Sequence, residues 1–352
     1  MADRWWRSVG AVFAWQVTAS VCFYSVLAAT QFVHATFDVS NFLVGVLITA
    51  LMVGYTAALF PMGAAVVVVL GVLYATAMPG TNAAIVTSVP SSRRNVAMGV
   101  KQVGVTAGSG AGALLVTGFA GTALGWRAGF LVDAGLAAVL LVGFLAFYGG
   151  SPGSGELSVP DVRGLFRRAE YRRVTLAGFC LGAGLFTTTG YATVYLHHGL
   201  GLSAAIAGVT LALAQVSGSV GRVAAGHLSD RLGEPMVRTT ARILLVQAVA
   251  AVVLFLAVPF AGGAVGAVLL FVALGLAILG FTGVYYSCIG AITPREEIGA
   301  ATAGGQTALN LGAVVAPPVF GVIADAGGYL DAWWFLAACT LAGAALLVSL
   351  AR

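Results

Sequence analysis

Apolar residues run through this chain in blocks of about twenty, broken by short polar segments. A helix needs about 20 such residues to cross a hydrocarbon core about 30 Å thick. Candidate spans fall at 9–32, 41–62, 65–88, 96–119 and 128–148. A polar segment rich in Gly, Pro, Ser and Arg then occupies about 150–173. Six more spans follow at 174–196, 204–225, 239–258, 264–289, 300–323 and 332–350. The pattern predicts an all-α polytopic membrane protein of about 11 spans. Its parts are an N-terminal helical bundle (1–149), a central loop (150–173) and a six-helix C-terminal bundle (174–352). A spanning barrel would show segments of about ten residues alternating polar and apolar, and the chain has none.

Composition agrees. Of 352 residues, 60% are hydrophobic and 8% charged, with a mean hydropathy of +0.99. A soluble domain carries about 25% charged residues, so lipid is the natural solvent here. The net charge of +5 does not describe a nucleic-acid face. Arg163, Arg167, Arg168, Arg172 and Arg173 crowd the central loop and most other arginines flank apolar runs, as orientation signals do. Cys22, Cys180, Cys288 and Cys339 stand singly in apolar runs and read as small packing residues, with no metal cluster. The first apolar run passes straight into further spans, so no cleavable signal is read. No catalytic constellation, nucleotide motif or cofactor motif can be assembled, which excludes an enzyme.

The two halves repeat each other. At an offset of 163 residues His34 falls on His197, Ser40 on Ser203, Gly45 on Gly208 and Gly63 on Gly226. At an offset of 204, Gly71 falls on Gly275, Pro90 on Pro294, Gln102 on Gln306 and Gly108 on Gly312. The offset grows by 41 residues between Gly63 and Ala64, which matches 227–267 of the second half, a charged loop plus one span. A six-plus-six repeat has lost its third helix.

After the eighth span of that scheme stands Gly226-His227-Leu228-Ser229-Asp230-Arg231-Leu232-Gly233. This resembles the G-x-x-x-D-R-x-G loop of the major facilitator superfamily (MFS). With the six-helix repeats and the long basic central loop, the resemblance covers essentially the whole chain. It implies an MFS-like pair of helical bundles, and makes Gly226, Asp230, Arg231 and Gly233 a gating loop rather than a substrate site. Three features depart from the family pattern. Glu234-Pro235 replaces the usual basic pair, and the first-half loop is missing. The fourth-helix arginine of proton-coupled exporters has no counterpart in Val66–Ile85.

In the family scheme both chain ends and the central loop are cytoplasmic, and the arginines from Arg93 onward fit that orientation. Eleven spans cannot leave both ends on one side. Either the N-terminus is outside, or one early run fails to span, or the chain is a defective or mispredicted gene product.

Candidate substrate contacts follow from polar residues inside spans. Lys101, the only lysine, lies about two turns into its run, where it costs about 2.5–3.5 kcal/mol on insertion scales. It either faces a cavity and attracts an anion or snorkels toward Arg94. Gln102 and its repeat mate Gln306, with Asn310, are hydrogen-bonding partners at symmetric positions. Asn82 follows the Met78-Pro79-Gly80 interruption, a ligand position or a plain kink. Tyr191, Tyr285 and Tyr286 are candidate cavity walls. Asp133 reads as a packing residue or one with a partner on a neighbouring helix, with proton relay as the rival. Arg222 reads as a cytoplasmic anchor or a partner of Asp230. The glycine run from Gly104 to Gly112 reads as close helix packing rather than a phosphate loop.

The resulting expectation is a monomeric secondary transporter in the cell membrane (plasma or inner), multi-pass, moving a small solute by alternating access. Its partners are that solute (anionic on the strength of Lys101 alone), a coupling ion and membrane lipid, with no cofactor, metal or nucleic acid. The rival is a truncated, membrane-inserted remnant without transport activity.

Overall fold

The computed structural model describes residues 4–57, 94–147, 162–232, 236–294 and 297–352. Among these, helices account for nearly everything and no strand occurs. The helices are α1 (Arg4–Ala28), α2 (Thr30–Phe37), α3 (Asn41–Ala57), α4 (Arg94–Ala120) and α5 (Arg127–Phe147) in the first half. In the second they are α6 (Val162–Arg167), α7 (Ala169–Val194), α8 (Ala204–Leu232), α9 (Met236–Ala257), α10 (Gly263–Leu274), α11 (Thr282–Ile292), α12 (Ile298–Gly327) and α13 (Tyr329–Ala351). Eight helical stretches among the described residues are long and apolar enough to cross a bilayer. The expected span at 65–88, with Asn82, lies outside the described residues.

Two boundaries differ from the expectation in informative ways. The expected loop after residue 225 is helical through Leu232, because no Gly or Pro interrupts His227 to Leu232. The expected span at 264–289 is broken: α10 passes through a π-helical segment (Gly275–Leu279) before α11 begins.

The repeat predicted from the sequence reappears in the packing. α4 lies on α1 as α12 lies on α7, and α5 lies on α1 as α13 lies on α7. The halves meet along two seams, α3 on α12 and α4 on α8. Lipid gives no hydrophobic drive for helix pairing, so close backbone approach through small residues must supply it. A Cβ at Gly108 of α4 would lie 2.6 Å from the Val17 carbonyl oxygen of α1. Gly104 and Gly112, one turn to either side, lie against Phe13 and Val21 in the same way. Gly312, the repeat mate of Gly108, presses on the Phe179 and Ala183 backbone of α7. The glycine run is therefore the contact stripe of α4.

The symmetry fails at α5. α13 is held between α7 and α9, whereas α5, among the described residues, packs on α1 and α4. Val132 of α5 is 39% exposed and its repeat mate Leu336 of α13 is 0% exposed. This is the face that a counterpart of α9 would cover.

Gly108→Ala and Gly312→Ala should each destabilise the protein by about 1–3 kcal/mol through overpacking. The readout is thermal unfolding in detergent. Gly226→Ala, where nothing lies within 4 Å of the new methyl, should leave the midpoint unchanged or slightly raised.

Candidate functional site

A small cavity of about 30 Å³ lies between the halves. Tyr24 of α1 and Gln102 and Val105 of α4 wall it on one side. Leu185 and Phe186 of α7, Arg222 of α8, Thr282 and Tyr286 of α11, and Gln306 and Leu309 of α12 complete it. None of these is acidic.

Arg222 is the charged group of the wall and is 7% exposed. Its Nε donates to the Leu279 carbonyl (3.0 Å) where the α10–α11 span breaks. Its Nη1 donates to the Gln102 carbonyl (2.9 Å) on α4, across the seam between the halves. Glycines bring the helices close enough for this: a Cβ at Gly221 would stand 2.6 Å from the Leu276 carbonyl oxygen. Lys101, next to Gln102, is fully buried and within electrostatic reach of Arg222. Two cationic side chains thus stand together inside the membrane. Opposite them the Tyr286 hydroxyl bonds Gln306 Oε1, and Gln306 Nε2 donates to Asn310 Oδ1 (2.8 Å). Asn310 is fully buried, and its Nδ2 has no hydrogen-bond partner.

The structure brings together Gln102, Tyr286 and Gln306 on the wall, with Lys101 and Asn310 directly behind it. Tyr285 is one residue from the wall, yet its hydroxyl donates to the Gly305 carbonyl (2.9 Å) and its ring lies against Gly178. That places it in the packing of α7, α11 and α12. Tyr191 lies elsewhere, in the α3–α12 seam. Gly226, Asp230 and Arg231 occupy the last two turns of α8, Arg231 exposed. Gly233, like Asn82, lies outside the described residues. Arg222, read from the sequence as a cytoplasmic anchor or a partner of Asp230, reaches across to α4. The available signal was its place in the apolar run between Gly221 and Gly226.

One end of the α3–α12 seam holds a second polar cluster that the sequence reading missed. Asp325, at the end of α12, accepts from the Asn41 backbone N–H (3.1 Å), Asn41 Nδ2 (2.7 Å) and the Phe42 N–H (2.8 Å). A carboxylate from one half thereby caps the first turn of a helix from the other, where free N–H groups and the helix dipole favour negative charge. Tyr191 donates to the Asn41 carbonyl (2.5 Å) and Tyr329 to Asn41 Oδ1 (3.0 Å). Pro318 has no N–H for the Val314 carbonyl, and Thr49 of α3 donates to that oxygen instead (2.6 Å). Nearby, the His34 and His198 rings lie 4.7 Å apart between centroids, tilted by 34°, joining α2 to the end of the α7 span. At the opposite end of the molecule Arg168 and Glu297 form an exposed ion pair at 2.7 Å within the second half, of small energetic weight.

Residues 9–289 match the family model of the Major Facilitator Superfamily. An uncharacterised MFS-type transporter of Mycobacterium tuberculosis is 27% identical over 247 residues, or 69% of this chain and 54% of that protein. An MFS-type transporter of Gibberella moniliformis is 26% identical over 189 residues, or 53% of this chain and 44% of that protein. The chain thus spans about half the length of the curated relatives it matches. A bacterial homolog to the human lysosomal transporter Spinster, inward-facing and occupied, overlays with a TM-score of 0.67 at 14% identity, covering 97% of this chain and 94% of that one. The unoccupied form of that transporter gives 0.67 at 15%, covering 100% and 96%. These likenesses show the fold.

Removing the Asp325 carboxylate takes a charged acceptor from three donors, and one hydrogen bond to a charged group contributes about 1.5–3 kcal/mol. In a cysteine-free background, Ile48→Cys is buried in the closed seam. Adding Asp325→Ala should raise its labelling by an impermeant maleimide at least about tenfold, with Asp325→Asn in between.

Proposed function

The chain belongs to the major facilitator superfamily, and from that premise we propose that it is a secondary carrier of a small anionic solute. One observation carries this reading: Arg222, on the wall of the cavity, and Lys101, within electrostatic reach of it, are both buried, and none of the described residues of that wall is a carboxylate. Each such cation costs about 2.5–3.5 kcal/mol at the centre of a bilayer on insertion scales. An anion entering the cavity would meet the Arg222 guanidinium directly and lie within the field of Lys101. Tyr286, Gln306 and Gln102 supply neutral hydrogen bonds that fix its orientation, as polar groups do in mostly apolar pockets.

The cycle is alternating access. With the arginine-rich loops cytoplasmic, the Asp325–Asn41 cluster sits at the outer face and holds α3 against α12. The conformation is therefore closed to the outside. Past Arg222 toward the cytoplasm, Val223 and Leu228 of α8 are exposed. Opening the outer face requires Asn41 and Phe42 to leave Asp325 while the halves turn about the α4–α8 seam. In that turn Arg222 exchanges the Gln102 carbonyl for the solute. The multi-pass helices place the protein in a membrane, and we assign the plasma or inner membrane. The gating role of Asp230 and Arg231 belongs to the same proposal.

Purified protein in proteoliposomes should take up at least one member of a panel of small organic and inorganic anions and no neutral analogue. Arg222→Ala should lower uptake about tenfold to a hundredfold, the loss of one or two charged hydrogen bonds. Lys101→Ala and Gln102→Ala should also reduce it, and Gln306→Ala should raise KM more than it lowers the maximal rate. No flux of any solute, restored by inserting a 41-residue loop and helix between Gly63 and Ala64, would instead identify a non-transporting remnant.

A further inference from the structure

Of the 12 acidic residues, Asp133 is the one that lies in the described helices well away from a helix end. It is the seventh residue of α5, about 9 Å along the helix at 1.5 Å per residue, and is 2% exposed. Its Oδ2 is hydrogen-bonded to Ser25 Oγ of α1, and its Oδ1 is buried with no hydrogen-bond partner. Ser25 Oγ also lies 2.8 Å from the Val21 carbonyl oxygen, in donor geometry.

A hydroxyl has one proton, and a carbonyl oxygen can only accept. If Ser25 donates to Val21, its contact with Asp133 is a hydrogen bond only when Asp133 is the donor, which requires a carboxylic acid. If Asp133 is ionised, Ser25 must turn its proton to the carboxylate. Two oxygens without a proton between them then face each other at the 2.8 Å Ser25–Val21 contact. The ionised state would also leave Oδ1 charged, dry and without a donor, an arrangement that buried carboxylates avoid. The protonated state completes an unbroken chain from the Asp133 O–H to Ser25 Oγ and from the Ser25 O–H to Val21 O.

We propose that Asp133 is a proton-binding site, carrying a proton at neutral pH and exchanging it through the α1–α5 seam. The surroundings suit this ligand. The helices packed on α5 among the described residues are α1 and α4. From α1 the facing titratable group is Cys22. α4 contributes only Arg94 and Lys101 in its whole length, and the residue it places beside Ser25 is Gly112, where any Cβ would strike the hydroxyl. Arg127 stands at the start of α5, over the Trp126 ring. The repeat mates of Ser25 and Asp133 are Thr188 and Ala337, so the second half has a hydroxyl but no acid. The pair is specific to the first half rather than a packing device of the repeat. Tyr24, adjacent to Ser25, lines the central cavity. Loss of the proton turns the Ser25 hydroxyl and puts a negative charge behind that wall, which gives the proton a route to act on an anion inside it.

The test is infrared spectroscopy of the purified protein in lipid, independent of any solute flux and so of the carrier reading. The wild type minus Asp133→Asn difference at neutral pH should contain a protonated-carboxyl C=O band that moves in heavy water. Ser25→Ala, which keeps the carboxyl but removes its acceptor, should shift that band to higher frequency. A difference showing only ionised-carboxylate bands overturns the proposal. Where Asp133→Asn does not fold, Ser25→Ala decides alone: a shifted acid band supports the site, and an acid region identical to wild type overturns it.

Discussion

Inside a bilayer no water satisfies a backbone carbonyl, so every place where a helix bends or breaks must find its donor on another helix. In this chain such partners come from neighbouring helices, some in the same half and some across the boundary between the two halves. Pro318 deprives the Val314 carbonyl of its partner, and Thr49 of the opposite half supplies one. The α10–α11 break presents Leu279, and Arg222 bonds it while reaching over to Gln102 of α4. The α3 N-terminus leaves N–H groups open, and Asp325 of α12 caps them. The demands of backbone satisfaction therefore create both the outer closure and the cationic wall of the cavity.

These interactions differ in how readily they can be given up. The glycine stripes within a half bring backbone onto backbone over several turns, and separating them would forfeit dispersion attraction along the whole stripe at once. The hydrogen bonds between halves are fewer and polar, and several of them lie at helix ends or breaks. Each can be exchanged for water or for a solute group of the same chemistry. The α3–α12 seam adds close backbone contact of its own, since a Cβ at Gly45 would lie 2.6 Å from the Pro317 carbonyl oxygen. The unsymmetrical features, Asp325 without a first-half mate and Asp133 without a second-half mate, are where the duplicated frame departs from its repeat.

The helical frame was readable because its causes are periodic. Run length gave the helical, membrane-spanning class, with eight spans among the described residues, and the pairing of Gly108 with Gly312 in the sequence reappears as two equivalent backbone contacts. Gln102 and Gln306 likewise share one cavity. What escaped reading depended on contacts distant in sequence. Nothing near Asp325 announces that it caps a helix beginning at Asn41. Arg222 looked like an interfacial anchor because its two acceptors are carbonyls, which carry no side-chain signature. Tyr191 looked like a cavity wall because a tyrosine in a span needs a polar partner, and the sequence does not say which seam provides it. The loop motif was placed correctly in order but read as non-helical, since its glycines bracket a stretch with good helix formers.

The central claim is that the two halves change their relative position around the cationic cavity. The direct measurement is a spin-label distance distribution between Phe37, at the outer end of α2, and Leu330, at the start of α13, both exposed. The account predicts a short distance in the resting protein and a second, longer population that grows when a transported anion or Asp325→Ala is introduced. One unchanging distance under both conditions, in protein that still binds the anion, would contradict it.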